Sequence, residues 1–545
     1  MMLKRCFCLV AAVSLATVCL PAPAAASDAA APTVIVRVRS IDNLIADLKY
    51  VTGLIGRGAE AKQLDAAIKK TLPNGFQGID TKRPIGLYAI ADPDFNPAES
   101  QIVLLLPVSD EKALIGLIES IGSAKVSKDD DGLYTISPEN ATSSVFFRFV
   151  HKYAYATIKD KAALEKTKLL TPDKIFPADN LQTVSITFRL DQIPDAYRQA
   201  LFSQIDARLL SLDEEHPAGE TKVQHALRVE AAKQVGTLFA ALVKEGKALD
   251  FALDMDRKTQ ELSVELNILA RPQTPFAASL EALGRESSLF AGMLKADAAM
   301  SLVARGGLPD SLRKALGPVI DEGVQTNLTK EKHAAKREQA EKILKALAPS
   351  LKAGELDIGA SLAKTSDNPN YTIVAGIKLK EGRDIDHAIR DLLKSLPEDA
   401  RKAIKVESEA GDVTIYRLDV HERLDADARR FLGDNPFYVA LRSDALLVAG
   451  GAGGMQALKD ALAAKASTAP PVQVNIAVAS LVPLMGKKAK ADPVAAAKKA
   501  FSDGAKNNDR TRFSVESGNS LKIRLTASAA VLRFLSLMDG KKATD

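Results

Sequence analysis

The stretch TVIVRVRSIDNLIADL, residues 33–48, decides the fold because AMSLVARGGLPDSLRKAL, residues 299–316, repeats its design. Each reads as a strand, a short turn and an amphipathic helix, and each leads into a second run with helical periodicity. Working outward from this pair, the same order of elements recurs with a spacing of roughly 250 residues.

The segments at 86–121 (GLYAIADPDFNPAESQIVLLLPVSDEKALIGLIESI) and 357–396 (DIGASLAKTSDNPNYTIVAGIKLKEGRDIDHAIRDLLKSL) both predict two strands and a helix. With Val108 set on Leu379, the residues Leu114, Leu117, Ile118 and Ile121 fall on Ile385, Ala388, Ile389 and Leu392. One apolar stripe at helical spacing is thus kept in phase. Further on, residues 132–168 and 412–462 read as strand, variable loop, hairpin and helix, with His151-Lys152 and Ser443-Asp444 at the hairpin tips. Val184, Ile186, Phe188 and Leu190 then alternate as do Val472, Val474, Ile476 and Val478. Each copy closes with a hairpin, FALDMDRKTQELSVELNI at 251–268 and FSVESGNSLKIRLTA at 513–527.

Strands that arrive as hairpins with helices between the pairs predict an α+β fold. The expected architecture is two tandem homologous halves, 27–288 and 289–545, each an antiparallel or mixed sheet with helices packed on a face. The stretch 195–246 predicts a long helical hairpin broken at His216-Pro217.

Residues 1–26 have the form of a signal peptide: Lys4 and Arg5, an apolar run, then Pro21, Pro23 and the small residues Ala24 and Ala26. Cleavage is expected after Ala26, with Ser27 as the new N-terminus, giving an exported periplasmic or extracellular protein. A lipid-attachment reading at Cys19 is disfavoured because Val18 stands where a small residue is wanted. Cys6, Cys8 and Cys19 all lie in this leader, so the expected mature chain has no disulfide and no thiol nucleophile. Without Lys4 and Arg5 the balance is 71 basic against 68 acidic residues, near +3, which makes no electrostatic case for nucleic acid. No later run is apolar over the length of a membrane span. Tryptophan is absent and aromatics make up 5%, which weakens a sugar-stacking role.

The segments FAGMLKADAAMSLVARGGLPDSLRKAL (290–316) and GDNPFYVALRSDALLVAGG (433–451) resemble a widespread group of secreted bacterial proteins with a duplicated α+β architecture. That resemblance implies export and architecture; it carries no activity and no site.

Several short motifs invite a chemical reading. Gly450, Gly451, Gly453 and Gly454 stand between a strand and a helix, but match neither the dinucleotide fingerprint nor a phosphate loop. They are expected to form a flexible turn, since ATIKDKAAL makes the same strand-to-helix connection at 156–164 without glycine. Ser109 and Lys112 form Ser-x-x-Lys and Ser517–Asn519 a possible second motif, yet no Lys-Thr-Gly accompanies them, so Ser109 is expected to be a helix N-cap. Asp92–Glu99 alternates oxygen ligands but lacks the glycine of a calcium loop, and Lys128–Gly132 reads as a turn. His151, His216, His225, His333, His387 and His421 show no ligand spacing. The basic run Lys487, Lys488, Lys490, Lys498 and Lys499 offers a place for an anionic partner.

No catalytic, cofactor-binding or metal-ligating residue is assigned, and no cofactor is implied. The expected function is an envelope protein of the binding or structural-interaction type with an unknown envelope macromolecule or ligand as partner. The alternative is a secreted hydrolase whose site is assembled from dispersed residues. An extended apolar face would favour the binder, and a pocket of converging carboxylates or Ser, Lys and His the enzyme.

Overall fold

The computed structural model describes residues 31–93, 100–121, 124–137, 144–158, 160–177, 182–330, 334–364, 370–410, 413–419, 424–485, 491–502 and 507–539. The expected leader lies outside them. The described residues form two compact units, the first built from those up to 204, from 243–271 and from 526 onward, and the second from those within 205–242 and 272–525.

The first unit contains β1 (Val34–Val38), β2 (Ile85–Ile90), β3 (Gln101–Pro107), β4 (Lys125–Lys128) and β5 (Tyr134–Ser137). It continues with β6 (Val145–Val150), β7 (Tyr153–Thr157), β8 (Val184–Phe188), β9 (Gly246–Asp256) and β10 (Glu261–Ala270). Their spatial order is β4-β5-β6-β7-β3-β2-β1-β8-β9-β10, antiparallel at every pairing. The β6–β7 hairpin turns at His151 and Lys152, both with positive φ, as a tight two-residue connection between twisted strands requires.

The second unit contains β11 (Ser287–Ser288), β12 (Met300–Gly307), β13 (Glu355–Lys364), β14 (Tyr371–Lys378), β15 (Ile404–Ala410) and β16 (Val413–Leu418). It continues with β17 (Phe437–Arg442), β18 (Ala445–Gly451), β19 (Ser467–Thr468), β20 (Val472–Ala477) and β21 (Arg510–Ser517), and β22 (Ser520–Ser528) follows. The large sheet runs β15-β16-β17-β18-β14-β13-β12-β20-β21, again antiparallel, while β11 pairs with β19. Mixed helix and antiparallel sheet place the protein in the α+β class, as the hairpin pattern predicts.

The two strand orders are the same, and so is the register. Val34 stands opposite Ala89 and Ala89 opposite Ile102, where Met300 stands opposite Leu362 and Leu362 opposite Ile373. Counting on, Leu106 matches Ile377 and Val108 matches Leu379, the alignment read from the helical stripe.

The segment after β7 corrects one expectation. KAALEKTK is not a full helix but a 3-10 turn, Lys161–Leu164, capped by the Asp160 carboxylate accepting from the Ala162 N–H at 2.8 Å. That turn packs Leu164, with Ile175 and Phe176, onto Tyr88, Val103, Leu105 and Tyr155 to close one face of the first sheet. At the other end of the chain, helix Ala529–Met538 completes the same unit. Ser528 caps it, Ala529, Ala530, Val531 and Phe534 are buried, and Ser536 donates to the Ile55 carbonyl at 2.6 Å. Among the described residues, no helix is long and apolar enough to cross a membrane.

In the second unit the core is keyed by one ring. A Cβ at Gly359 or at Gly376 would come within 2.3 Å of Phe290, so the paired glycines of β13 and β14 form the slot that the ring fills. Phe290 is 2% exposed. Because facing glycines cannot collapse into the space, Phe290→Ala is expected to cost about 3–5 kcal/mol. Denaturant unfolding checks this, and a loss below about 1 kcal/mol would mean the slot relaxes.

Candidate apolar binding face

Side chains alternate between the two sides of the first unit's sheet with period two, and one side is apolar at every position over three registers while the other is mixed. One side carries two rows at successive registers. Ile102, Ala89, Val34, Phe188, Leu249 and Ile268 form the first row, and Leu104, Leu87, Val36, Ile186, Phe251 and Leu266 the second. A third row, Leu106, Ile85, Val38, Val184, Leu253 and Val264, follows. Every one of these positions is apolar.

Beyond the third row helices cover this side: Leu114 and Leu117 pack with Ala154 and Leu106, and Leu54 and Ala529 pack on Met255. Toward the first row it is open only in part: Ala89 and Val34 are buried there, while residues flanking them are exposed. Ile102 is 44% exposed, Phe188 43% and Phe251 39%. On β3 the neighbours pointing the other way, Val103 and Leu105, are fully buried.

The opposite side holds polar residues among the apolar Ile35, Tyr88, Val103 and Leu105. Arg37 donates through Nε to the Ile175 carbonyl at 2.5 Å and through a terminal nitrogen to Thr187 Oγ1 at 2.8 Å. Thr187 in turn donates to Asp250 at 2.8 Å, and Arg39 pairs with Asp254 at 2.5 Å. Burial lowers the Arg37 pKa and Asp250 opposes that shift. The sheet therefore buries one side, where Arg37 and Thr187 sit among the apolar Ile35, Tyr88, Val103 and Leu105, and leaves part of a wholly apolar side open.

The second unit repeats the division. Met300, Leu302 and Ala304 share a side with Leu362, Ala360 and Ile358, with Ile373, Ala375 and Ile377, and with Ile476, Val474 and Val472. Ile377 and Phe513 on this side are 39% and 38% exposed. The other side carries the buried Ser301, Arg305, Asp357 and Ser361. Arg305 donates to the Ala469 and Leu283 carbonyls, and Asp357 accepts from Ser288 Oγ at 2.6 Å.

The motifs resolve as follows. The glycine cluster spans a strand end as well as the expected turn, which Ala452 and Gly453 make before helix Gly454–Ala463. Gly450 and Gly451 end β18 and are buried, and a Cβ at Gly450 would strike the Phe437 ring. Gly451 has φ +92 and lies so close to β14 that a Cβ would meet the Tyr371 carbonyl oxygen at 2.0 Å. The N–H of Gly453, at the start of helix Gly454–Ala463, already donates to Thr372 Oγ1 at 3.1 Å. These glycines are there for close packing.

Ser109 is not the helix cap. Helix Glu111–Ser120 is capped by Asp110, whose carboxylate accepts from the Ala113 N–H at 3.0 Å, while the Ser109 N–H donates to the Gly78 carbonyl. Ser109 lines a concave polar site of about 560 Å³ with Asp80, Arg83, Glu111, Lys152 and Tyr153; Lys112 is not among the lining residues. Arg83 lies over the Tyr153 ring at 4.4 Å, and burial raises the phenol's pKa against the lowering pull of Arg83. Ser517 donates to the Leu280 carbonyl at 2.7 Å.

Lys128–Gly132 is a turn in which the Asp129 carboxylate accepts from the Leu133 N–H at 2.8 Å. Residues 94–99 of the Asp92–Glu99 stretch, His333, His421, and Lys487, Lys488 and Lys490 lie outside the described residues. Lys498 and Lys499 are exposed in the last turn of helix Pro493–Ala500. His387 stands on helix Gly382–Ser395.

Sequence spacing missed one cluster. The break between helices Asp195–Glu214 and Lys222–Glu245 brings His216, Glu220 and His225 together, with their ligand atoms within 4.8 Å of one another. The cation position there is taken by Arg228, which donates to both Glu220 oxygens at 2.7 and 3.0 Å and lies 3.0 Å from His225 Nδ1. Arg228 also donates to the Leu212 and Glu215 carbonyls, so the cluster pins the end of the first helix.

No family model matches the chain, and neither the curated proteins nor the solved structures contain a match to it.

The cap correction is testable. Asp110→Ala is expected to cost about 0.5–2 kcal/mol of stability, whereas Ser109→Ala should leave the denaturant midpoint where it was. Equal losses at both positions would return the cap to Ser109.

Proposed function

We propose that this chain is an exported envelope protein of the binding type, and that it binds apolar or amphiphilic ligands through the open sheet side described above. Support comes from a single observation: the eighteen first-unit positions in the three rows are all apolar, and the side they form is partly open to solvent. Exposed apolar patches of this extent are rare on proteins that bind nothing, because each exposed square ångström forgoes about 25 cal/mol of burial. The identical strand order of the two units supports a further part of the reading, that the chain arose by duplication of one binding module. The basic residues and small apolar run at 1–26 support export.

A secreted hydrolase is the second reading. The concave site bearing Asp80, Glu111 and Ser109 favours it, since carboxylates and a hydroxyl converge there. Its cations Arg83 and Lys152 balance the carboxylates one for one, an arrangement that also suits a simple surface ion cluster.

The binding reading is tested with a hydrophobic dye such as Nile red on the mature protein. Saturable binding is expected, and Phe251→Asp should weaken it tenfold or more, about 1.4 kcal/mol, by setting a charge in the second row. Leu210→Asp, at an exposed apolar residue on helix Asp195–Glu214, should leave binding unchanged. A folded Phe251→Asp protein that binds dye like the parent would overturn the reading.

A further inference from the structure

The break between helices Asp195–Glu214 and Lys222–Glu245 gathers more ligand chemistry than a helix end needs. We propose that it is a zinc-binding site, with His216, Glu220 and His225 as ligands and Asp213 behind them. All four residues lie within the second unit.

The loop builds the donor set. A residue before proline is disfavoured in helical backbone, so His216 does not extend the first helix. Gly219 then takes φ +85 and the Glu220 N–H donates to the Pro217 carbonyl at 3.1 Å, which turns the chain back. His225 follows in the first turn of the second helix. The two imidazole rings thus meet with centres 4.3 Å apart, and His216, Glu220 and His225 each place a ligand atom within 4.8 Å of the others.

Three observations point to a metal. The first is where the lone pairs aim. Arg228 Nη2 lies 3.0 Å from His225 Nδ1 and 3.0 Å from Glu220 Oε2. A guanidinium only donates, so Nδ1 meets it with a lone pair and His225 carries its proton on Nε2. The ring nitrogen and the carboxylate oxygen, 3.2 Å apart, therefore converge on one cationic position. Tetrahedral zinc, with bonds of about 2.0–2.1 Å, sets neighbouring ligand atoms about 3.3 Å apart, which matches this edge.

The second is the outer partner. Asp213 Oδ1 stands 3.5 Å from His225 Nε2. A metal-bound imidazole ordinarily turns its other N–H toward a carboxylate, which fixes the tautomer that leaves the ligating nitrogen bare. The third is charge: residues 206–228 hold five acidic side chains against three basic ones, net −2, which a divalent cation neutralises. Two imidazoles select a transition ion over calcium or magnesium, which take oxygen ligands.

Zinc and Arg228 compete for one place. Arg228 is a rigid fork that also holds the Leu212 and Glu215 carbonyls, so zinc displaces it and releases the end of the first helix.

The test uses untagged, full-length mature protein stripped with a chelator, and divalent cobalt as a coloured probe of the zinc geometry. One cobalt per chain is expected, with the strong visible absorption of a four-coordinate ion, bleached when zinc is added. His216→Ala and His225→Ala should each weaken zinc binding tenfold or more in competition with a chromophoric chelator. His387→Ala should leave it unchanged. Arg228→Gln removes the competing cation and should tighten binding at least threefold.

A lack of saturable cobalt and zinc binding would overturn the site, as would an equal loss in His387→Ala. Binding that survives both His216→Ala and His225→Ala would place the metal elsewhere and overturn it too. Weaker zinc binding by a folded Arg228→Gln protein would overturn the exchange of cations. Displacement of cobalt by calcium as readily as by zinc would overturn the imidazole ligands.

Discussion

Everything in the first unit depends on the period-two division of its strands. Arg37 sits between Val36 and Val38, and its guanidinium is held on one side by the Ile175 carbonyl and Thr187. Moving β1, β8 or β9 by one residue would carry Arg37, Thr187 or Asp250 respectively onto the apolar side and break its bonds to the others. Such a slip would strand several buried polar groups, each costing about 1–3 kcal/mol, against a total stability of about 5–15 kcal/mol for a domain. The register is thus fixed by polar groups on the closed side, which frees the other side from any structural need for polar residues. The open rows can then be wholly aliphatic and aromatic without the sheet losing its alignment.

The same logic runs through the second unit with different residues. Arg305 and Asp357 do there what Arg37 and Asp250 do in the first, each anchored to backbone or hydroxyl groups on the closed side. The aromatic key differs in origin. Gly86 receives Phe176, which lies in the chain before β8, while Gly359 at the matching register receives Phe290, which lies before β12. Two sheets of one order can therefore be closed by different segments, as long as a glycine at that register admits a ring.

How much of this could be read from sequence depended on how local the cause was. Hairpins, their tips at His151-Lys152 and Ser443-Asp444, and the Val108 to Leu379 alignment follow from alternation and turn chemistry within a few residues. The cap at Asp110 was missed by one position because Ser109 and Asp110 are both good caps, and only the backbone bond from Ser109 to Gly78 decides between them. The glycines at 450, 451 and 453 could be cleared of nucleotide binding from spacing. Their packing role needed Tyr371, Thr372 and Phe437, which come from other strands. His216, Glu220 and His225 escaped notice because a helix break, not a helical period, brings them together.

The apolar side was half legible for the same reason. The alternation in VIVRV and in VSITF shows that two sides differ, but nothing local says which one is covered. That choice is made by the segment 160–177, which brings Leu164, Ile175 and Phe176 over Tyr88 and Leu105. A sequence reader would assign the more apolar side to the core, since that is what antiparallel sheets ordinarily do. Here the covering segment sits on the side bearing Arg37 and Thr187, and it supplies the carbonyl of Ile175 that makes this tolerable. The closed side thus combines an apolar core of Ile35, Tyr88, Val103 and Leu105 with polar groups that the covering segment pairs, while helices cover the all-apolar side only in part, and the remainder is what the fold leaves open.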